Sequence, residues 1–240
     1  MRIGHLLVDK ANRKSNKKLT LWTNNERKGR NDAMKIIKPA FDFLEEIDGL
    51  EMLRRLERAG RVCYKSEDKI TGDSAEKFIR SIIKRGHESV LEHEKITVII
   101  TCDRGVTHEL VRHRIASYSQ ESTRYCNYTN EKFGSELTFI APCFWVEDDP
   151  RYIVWKGQME RIEDSYNQLI EAGASPQEAR SILPNSLKTE IAVTMNIREW
   201  RHFFKLRTSM AAHPQMREVA NMLLASFKEK IPALFDDIPL

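Results

Sequence analysis

The sequence predicts an α/β fold of the mixed type, built as a single domain. Two β-branched runs, "KITVIIT" (95–101) and "IAVTMN" (191–196), have the composition of buried strands. Several other stretches space their apolar residues at helical intervals. Strand and helix patterns alternate along the chain without internal repeats or low-complexity tracts. With 240 residues, 41% of them hydrophobic and 31% charged, the chain is long enough to bury a substantial core.

"MKIIKPAF" (34–41) reads as a short strand. In "GLEMLRRLERAGRVCY" the residues Leu50, Leu53, Leu56 and Ala59 recur near helical spacing. "DSAEKFIRSIIKRG" is a stronger helix: Asp73 or Ser74 can cap it, Phe78, Ile79, Ile82 and Ile83 form its apolar stripe, and Gly86 can end it. After the 95–101 strand and Gly105, a helix is expected from Val106 to Ala116, followed by an irregular segment. "ELTFIAP" is a further strand. Residues 152–172 form a long amphipathic helix with Trp155, Met159, Ile162, Tyr166, Leu169 and Ile170 inward. "ASPQEAR" starts another, with Ser175 at the cap, Pro176 in the first turn and Glu178 completing a capping box. The 191–196 strand runs into the helix "IREWRHFFKLR", and "PQMREVANMLLASFKEKIP" is the last amphipathic helix.

Charge divides unevenly. Residues 1–33 hold nine of the 39 Lys/Arg and three of the 35 Asp/Glu, which leaves 30 against 32 in residues 34–240. The basic surplus therefore belongs to a polar N-terminal extension, 1–33, and Met34 offers a second start. A nucleic-acid-binding role for the main domain, 34–240, loses its compositional support. No apolar run reaches the length of a membrane span, and the start lacks a signal-peptide core. The four cysteines form no CxxC pair, which fits a reducing cytoplasm better than structural zinc or a disulfide framework.

One stretch concentrates anion-binding donors. "RHRIASYSQESTRY" (112–125) has three arginines, one histidine and three serines, with Glu121 its only acid. On a helix end, Arg112, His113 and Arg114 would fan through roughly 200° and could address two ligands. Arginine binds phosphate bidentately and keeps its charge. The missing glycines exclude a P-loop, so side chains must hold the anion. On composition alone a solvated basic segment explains the stretch slightly better. Two further clusters, "GHESVLEH" (86–93) and "THELVRH" (107–113), suggest metal ligation, but His108 and His113 lie about 140° apart around a helix. His87 and His93 are equally ill placed for a zinc site. In "NIREWRHFFKLR" (196–207), Arg198, Arg201 and Arg207 line a helix whose other side carries Trp200, Phe203 and Phe204.

Taken together these segments resemble the flavin-dependent thymidylate synthases. "RHRIASYSQESTR" is similar to that family's RHRxxSxNxxSxR signature at Arg112, His113, Arg114, Ser117, Ser122 and Arg124, with Ser119 where Asn is frequent. "GHESVLEH", "EARSILP" and "NIREWRHFFKLR" resemble its flavin-side segment, nucleotide-side arginine and C-terminal site helix, in the same order. The resemblance covers Met34 to the C-terminus and implies a central mixed sheet flanked by helices. It implies reductive methylation of dUMP to dTMP, with 5,10-methylenetetrahydrofolate as methylene donor and NADPH as reductant through FAD. It also implies small-molecule substrates and a homotetramer with active sites shared between subunits; the residues themselves give no reason to expect a membrane span or a metal.

Carried over by position, the resemblance assigns FAD to His87, Ser89, Arg112, His113, Arg114, Gln120, Asn196, Arg198 and His202. It assigns dUMP to Glu109, Arg112, Gln120, Glu121, Ser122, Thr123, Arg124, Arg180 and Arg207, with Arg180 reaching from another subunit. Glu109 stands where Gln is frequent, and His202 where Asn also occurs. Arg207 is the implied catalytic group, a guanidinium that stabilises the ionised uracil ring. A thiol nucleophile has no support: Pro142-Cys143 is followed by Phe144, and no cysteine has an activating neighbour in sequence.

Overall fold

The structure is a computed structural model that describes residues 34–126 and 136–240; the extension 1–33 lies outside the described residues. The mixed α/β architecture holds, with its parallel and antiparallel pairings divided between two sheets. Strands β2 (Ala40–Phe43), β3 (Lys95–Asp103), β4 (Ala116–Gln120) and β6 (Lys188–Asn196) form an antiparallel sheet in the order β2-β3-β6-β4. Strands β1 (Lys35–Ile37) and β5 (Thr138–Ile140) form a separate parallel pair. "MKIIKPAF" is thus two strands. Pro39 lies between them and has no N–H to donate to a ladder, so one continuous strand breaks there.

The nine-residue β3–β6 ladder, from Lys95↔Asn196 to Asp103↔Lys188, is the spine of the fold. Alternation puts Ile96, Val98, Ile100, Ile191, Val193 and Met195 on one face, all buried. Helices α1 (Gly49–Val62), α2 (Ser74–Lys84), α6 (Ile197–Arg207), α7 (Pro214–Lys230) and α8 (Pro232–Phe235) contribute to the core against that face. Trp200, Phe203, Phe204, Phe227 and Phe235 make its aromatic centre, with ring centroids 5.0–5.7 Å apart in mostly edge-to-face contacts. Such pairs add about 0.5–1.5 kcal/mol each beyond area burial. Gly86 ends α2 at φ +73°, a left-handed conformation that favours glycine.

A smaller core holds Met34, Leu137, Phe139, Met159, Tyr166, Ala179 and Leu187, where α4 (Pro150–Glu171) packs with α5 (Pro176–Ala179). Met159 and Tyr166 are buried as the helical spacing predicts, with Trp155, Ile162, Leu169 and Ile170 partly covered. The capping box at Ser175 and Glu178 forms as expected.

The main departure falls in the signature. Helix α3 is Arg104–Leu110, shorter than the expected 106–116, and β4 takes up residues expected to be irregular. Asp103 starts α3 early by accepting from Val106 N at 2.8 Å. The helix stops because Tyr118 in β4 claims its end: the Tyr118 hydroxyl lies 2.8 Å from the Leu110 carbonyl and 2.7 Å from that of His113. Arg112, His113 and Arg114 consequently sit in a turn between α3 and β4. The fan expected of a helix end does not form.

Candidate active site

The first pair of β4, Ala116↔Met195, sets the turn 111–115 beside the end of β6 and the start of α6. His113 is buried there, 4% exposed. Its Nδ1 lies 2.9 Å from Glu199 Oε1, and its Nε2 accepts a hydrogen bond from Arg207 Nε at 3.1 Å. Arg207 donates further from Nη1 to Glu109 Oε2 at 2.9 Å and from Nη2 to the Glu109 carbonyl at 3.2 Å. The imidazole ties the first and last turns of α6 together, and Arg207 carries the connection on to the last turn of α3. Burial chiefly, with help from the Arg207 charge, holds the His113 pKa below its usual value, against the opposing pull of Glu199. The ring is neutral near pH 7.

Asn196 caps α6 by accepting from Glu199 N at 2.8 Å. With Arg198, Glu199, His202, Lys205, Ile115, Glu88 and Glu92 it lines a cleft of about 450 Å³. Arg198 reaches across to Glu92 at 2.6 Å, and the His202 ring lies 5.7 Å from that of His113. Three residues assigned to flavin, Asn196, Arg198 and His202, thus share one cleft. His87 and Ser89 flank Glu88 and are exposed. The side chains of Arg112 and Arg114 are exposed and have no hydrogen-bond or ion-pair partner among the described residues. Arg201 is the corrected member of the α6 arginines. It is fully buried, bonded to the Leu234 carbonyl and Asp237, and does not line the helix surface with Arg198 and Arg207.

Gln120 to Arg124 lie at the other end of β4. Gln120 Nε2 donates to Thr107 Oγ1 at 3.1 Å and Thr189 Oγ1 at 3.3 Å. Glu121 pairs with Lys188 at 3.2 Å. Ser122 Oγ accepts from Arg124 N, Thr123 is buried, and the Arg124 guanidinium lies 5.4 Å from the Tyr125 ring. Arg180 is exposed on the single turn Arg180–Ile182. Both of these segments rest on the smaller core, through Cys126 on one side and Ile182 on the other.

Sequence reasoning missed Glu199 and Tyr118. Glu199 reads as an ordinary first-turn acid three residues after an Asn cap, and nothing in the spacing relates it to His113. Tyr118 carries no pattern of its own. A metal reading of His113, Glu199 and His202, whose ligand atoms lie within 4.8 Å of one another, fails on hydrogen-bond grounds. Arginine has no acceptor, so its Nε–H uses the one lone pair that neutral His113 has. The larger cleft of about 590 Å³, between α1 and α2, holds none of the assigned residues. Arg61 there is bonded to Glu57 and Lys77 to Asp73. Among the described residues no helix is long and apolar enough to cross a membrane.

Residues 47–233 match the family described as "Thymidylate synthase complementing protein". A flavin-dependent thymidylate synthase of Pyrococcus furiosus is 41% identical over 172 residues, covering 71% of this chain and 70% of its own. That of Mycobacteroides abscessus is 35% identical over 224 residues, 85% of this chain and 86% of its own. A solved UMP/dUMP methylase, PolB from Streptomyces cacaoi bound with 5-Br UMP, shares the fold with a TM-score of 0.67 at 20% identity, covering 85% of this chain and 95% of its own. The ordered motifs, the fold and this similarity over most of the chain agree: the chain belongs to the flavin-dependent thymidylate synthase family.

Proposed function

We propose that the protein converts dUMP to dTMP by reductive methylation, with 5,10-methylenetetrahydrofolate and NADPH as co-substrates and tetrahydrofolate released. The observation that carries this reading is the hold on Arg207. Its Nε and one hydrogen on each terminal nitrogen are committed to His113 and Glu109. One hydrogen on each terminal nitrogen remains. Those two are free for a ligand, and guanidinium donors suit pyrimidine N3 and the neighbouring carbonyl. A fixed guanidinium there stabilises negative charge on the ring and raises electron density at C5.

The residues present fit FAD. Arg112 and Arg114 offer guanidinium donors not engaged by other described residues, and Ile115, next to Arg114 in the chain, lines the cleft with Asn196, Arg198 and His202. Its volume lies within the usual range for small-molecule sites, about 300–1,000 Å³. FAD, when bound, supplies the reducing equivalents taken from NADPH. His113 is enclosed, with both nitrogens engaged by protein, so it can meet the flavin only through its ring edge or backbone. Ser122, Thr123, Arg124 and Arg180 hold the nucleotide phosphate in this reading, with Gln120 and Glu121 shaping the same end of β4.

A strand of five residues separates its ends by roughly 14–17 Å, so one chain holds Arg112, His113 and Arg114 at one end of β4 and Gln120 to Arg124 at the other. That separation supports a site completed by neighbouring subunits of a homotetramer. A reducing cytoplasm is our reading of the cysteine pattern, which has no CxxC pair.

The test is dTMP formation from dUMP and methylenetetrahydrofolate, with FAD and NADPH each supplied or withheld. Product formed only when both are present supports the reading. A chain that neither takes up flavin nor makes dTMP refutes it.

A further inference from the structure

We propose that Glu199 is a positioning residue for Arg207 and acts through the tautomer of His113; the inference rests on the catalytic reading of Arg207. Glu199 and Arg207 sit in the first and last turns of α6. Eight residues of helix separate their backbones by about 12 Å, too far for direct contact to fix the guanidinium. The His113 ring from the α3–β4 turn spans that interval, 2.9 Å from Glu199 Oε1 and 3.1 Å from Arg207 Nε.

The hydrogen count makes the relay directional. Neutral imidazole has one N–H and one lone pair, and arginine has donors only. The Arg207 bond is made only when the lone pair is on Nε2. The proton must then sit on Nδ1, where a buried N–H needs an acceptor. Glu199 is the acceptor that the described residues supply there. Without it the other tautomer would place Nε2–H against Arg207 Nε–H, donor facing donor, and the guanidinium would turn away. Glu109 still holds the terminal nitrogens in that case, so the charge stays nearby but its fork loses alignment. Displacement of that kind costs turnover far more than affinity, on the order of 10²-fold for an ångström.

Three substitutions in the full-length chain separate this role from a structural one. Glu199→Gln keeps an acceptor for Nδ1–H and removes the charge. Glu199→Ala removes the acceptor, and Glu199→Asp shortens it. For Glu199→Ala the expected kcat falls about 10–100-fold with KM for dUMP changed less than about threefold. Glu199→Gln is expected to return to within about fivefold of the parent, and Glu199→Asp to stay slow. Nitrogen-15 spectra of the histidine rings give a readout independent of turnover. His113 is expected as the Nδ1–H tautomer in the parent and in Glu199→Gln, and as a mixture or as Nε2–H in Glu199→Ala. Parent protein with the proton on Nε2 overturns the proposal. So does a Gln variant as slow as the Ala variant, or an Ala variant as fast as the parent. Should Glu199→Ala fail to fold, Gln and Asp variants of equal activity overturn it, and a fast Gln with a slow Asp supports it. A parent protein that makes no dTMP refutes the thymidylate reading instead, while the parent tautomer still judges the relay.

Discussion

Replacing Arg207 by lysine keeps the positive charge and removes the geometry. The guanidinium makes three contacts, to His113 Nε2, Glu109 Oε2 and the Glu109 carbonyl. A lysine ammonium is a compact point charge without the planar fork, and it cannot reproduce all three while keeping two donors free for a ligand. The stability cost is modest. The His113 bond is worth about 0.5–1.5 kcal/mol. The Glu109 pair, with side chains 15% and 33% exposed, adds no more than about 1 kcal/mol after solvent screening. The sum, roughly 1–2 kcal/mol, lowers Tm by about 2–8 °C in a chain of this size. Turnover should suffer much more, because losing one preorganised donor to developing charge costs about 10²–10³ in kcat. The assay is steady-state dTMP formation at saturating folate and NADPH, beside a thermal melt and a dUMP titration of the same preparation. Arg207→Lys should bind dUMP within a few-fold of the parent, fold, and turn over at least a hundredfold more slowly. Turnover within about threefold of the parent would show that charge alone, or another residue, activates the pyrimidine.

Arg112→Ala should yield a folded protein that has lost its flavin absorbance; stoichiometric flavin in that variant removes Arg112 from the cofactor site. His113 gives a pH dependence whose sign follows from its depressed pKa. The unfolded ring titrates near 6.5, so its contribution to stability is complete above that pH and is lost as pH falls through the lower folded value. Urea unfolding between pH 7.5 and 5 should show stability rising with pH by up to about 1.4 kcal/mol per unit from this group, and His113→Gln should remove that component; an unchanged slope refutes it. Phe204, fully buried among Trp200, Phe203, Phe227 and Phe235, should cost about 3–5 kcal/mol on replacement by alanine. A melting temperature lowered by only a degree or two would show that the aromatic centre is not the main brace of the core.

Elements whose causes are local were legible in the sequence. Helices α2, α4, α6 and α7, the strands β3 and β6 and the Ser175 capping box follow from periodicity, β-branching and cap chemistry. Residues 106–120 were not, because the end of α3 is decided by a tyrosine eight residues further on. Arg201 was misplaced for a related reason. Its burial depends on Asp237 and the Leu234 carbonyl, more than thirty residues away. The family resemblance assigned His113, in the signature, and Arg207, in the C-terminal helix, as site residues. That they touch, and that Glu199 completes the contact, depends on how β4 registers against β6. No single stretch of sequence carries that register.

In the reading proposed above the chemistry of this site is electrostatic, and two of the cysteines accord with it. Burial pushes the Cys102 thiol far above its usual pKa, and the neighbouring Asp103 carboxylate pushes it further. The Cys143 thiol is also raised, by burial first and then by Glu218. Neither offers a thiolate for attack at a pyrimidine carbon near pH 7. A guanidinium has the opposite property: its charge is permanent and only its placement can be tuned. Placement is what the fold provides here, with a neutral imidazole on one side of Arg207 and a carboxylate on the other. In the proposed reaction Glu109 offsets the field of Arg207 while the pyrimidine is absent. A ring that gains negative charge then competes with Glu109 for the same guanidinium, an interaction that grows only as the reaction proceeds. By that reasoning Glu109→Gln should strengthen the grip of Arg207 on dUMP itself and lower KM, with kcat gaining little or falling. A raised KM at unchanged kcat would show instead that Glu109 holds the nucleotide directly.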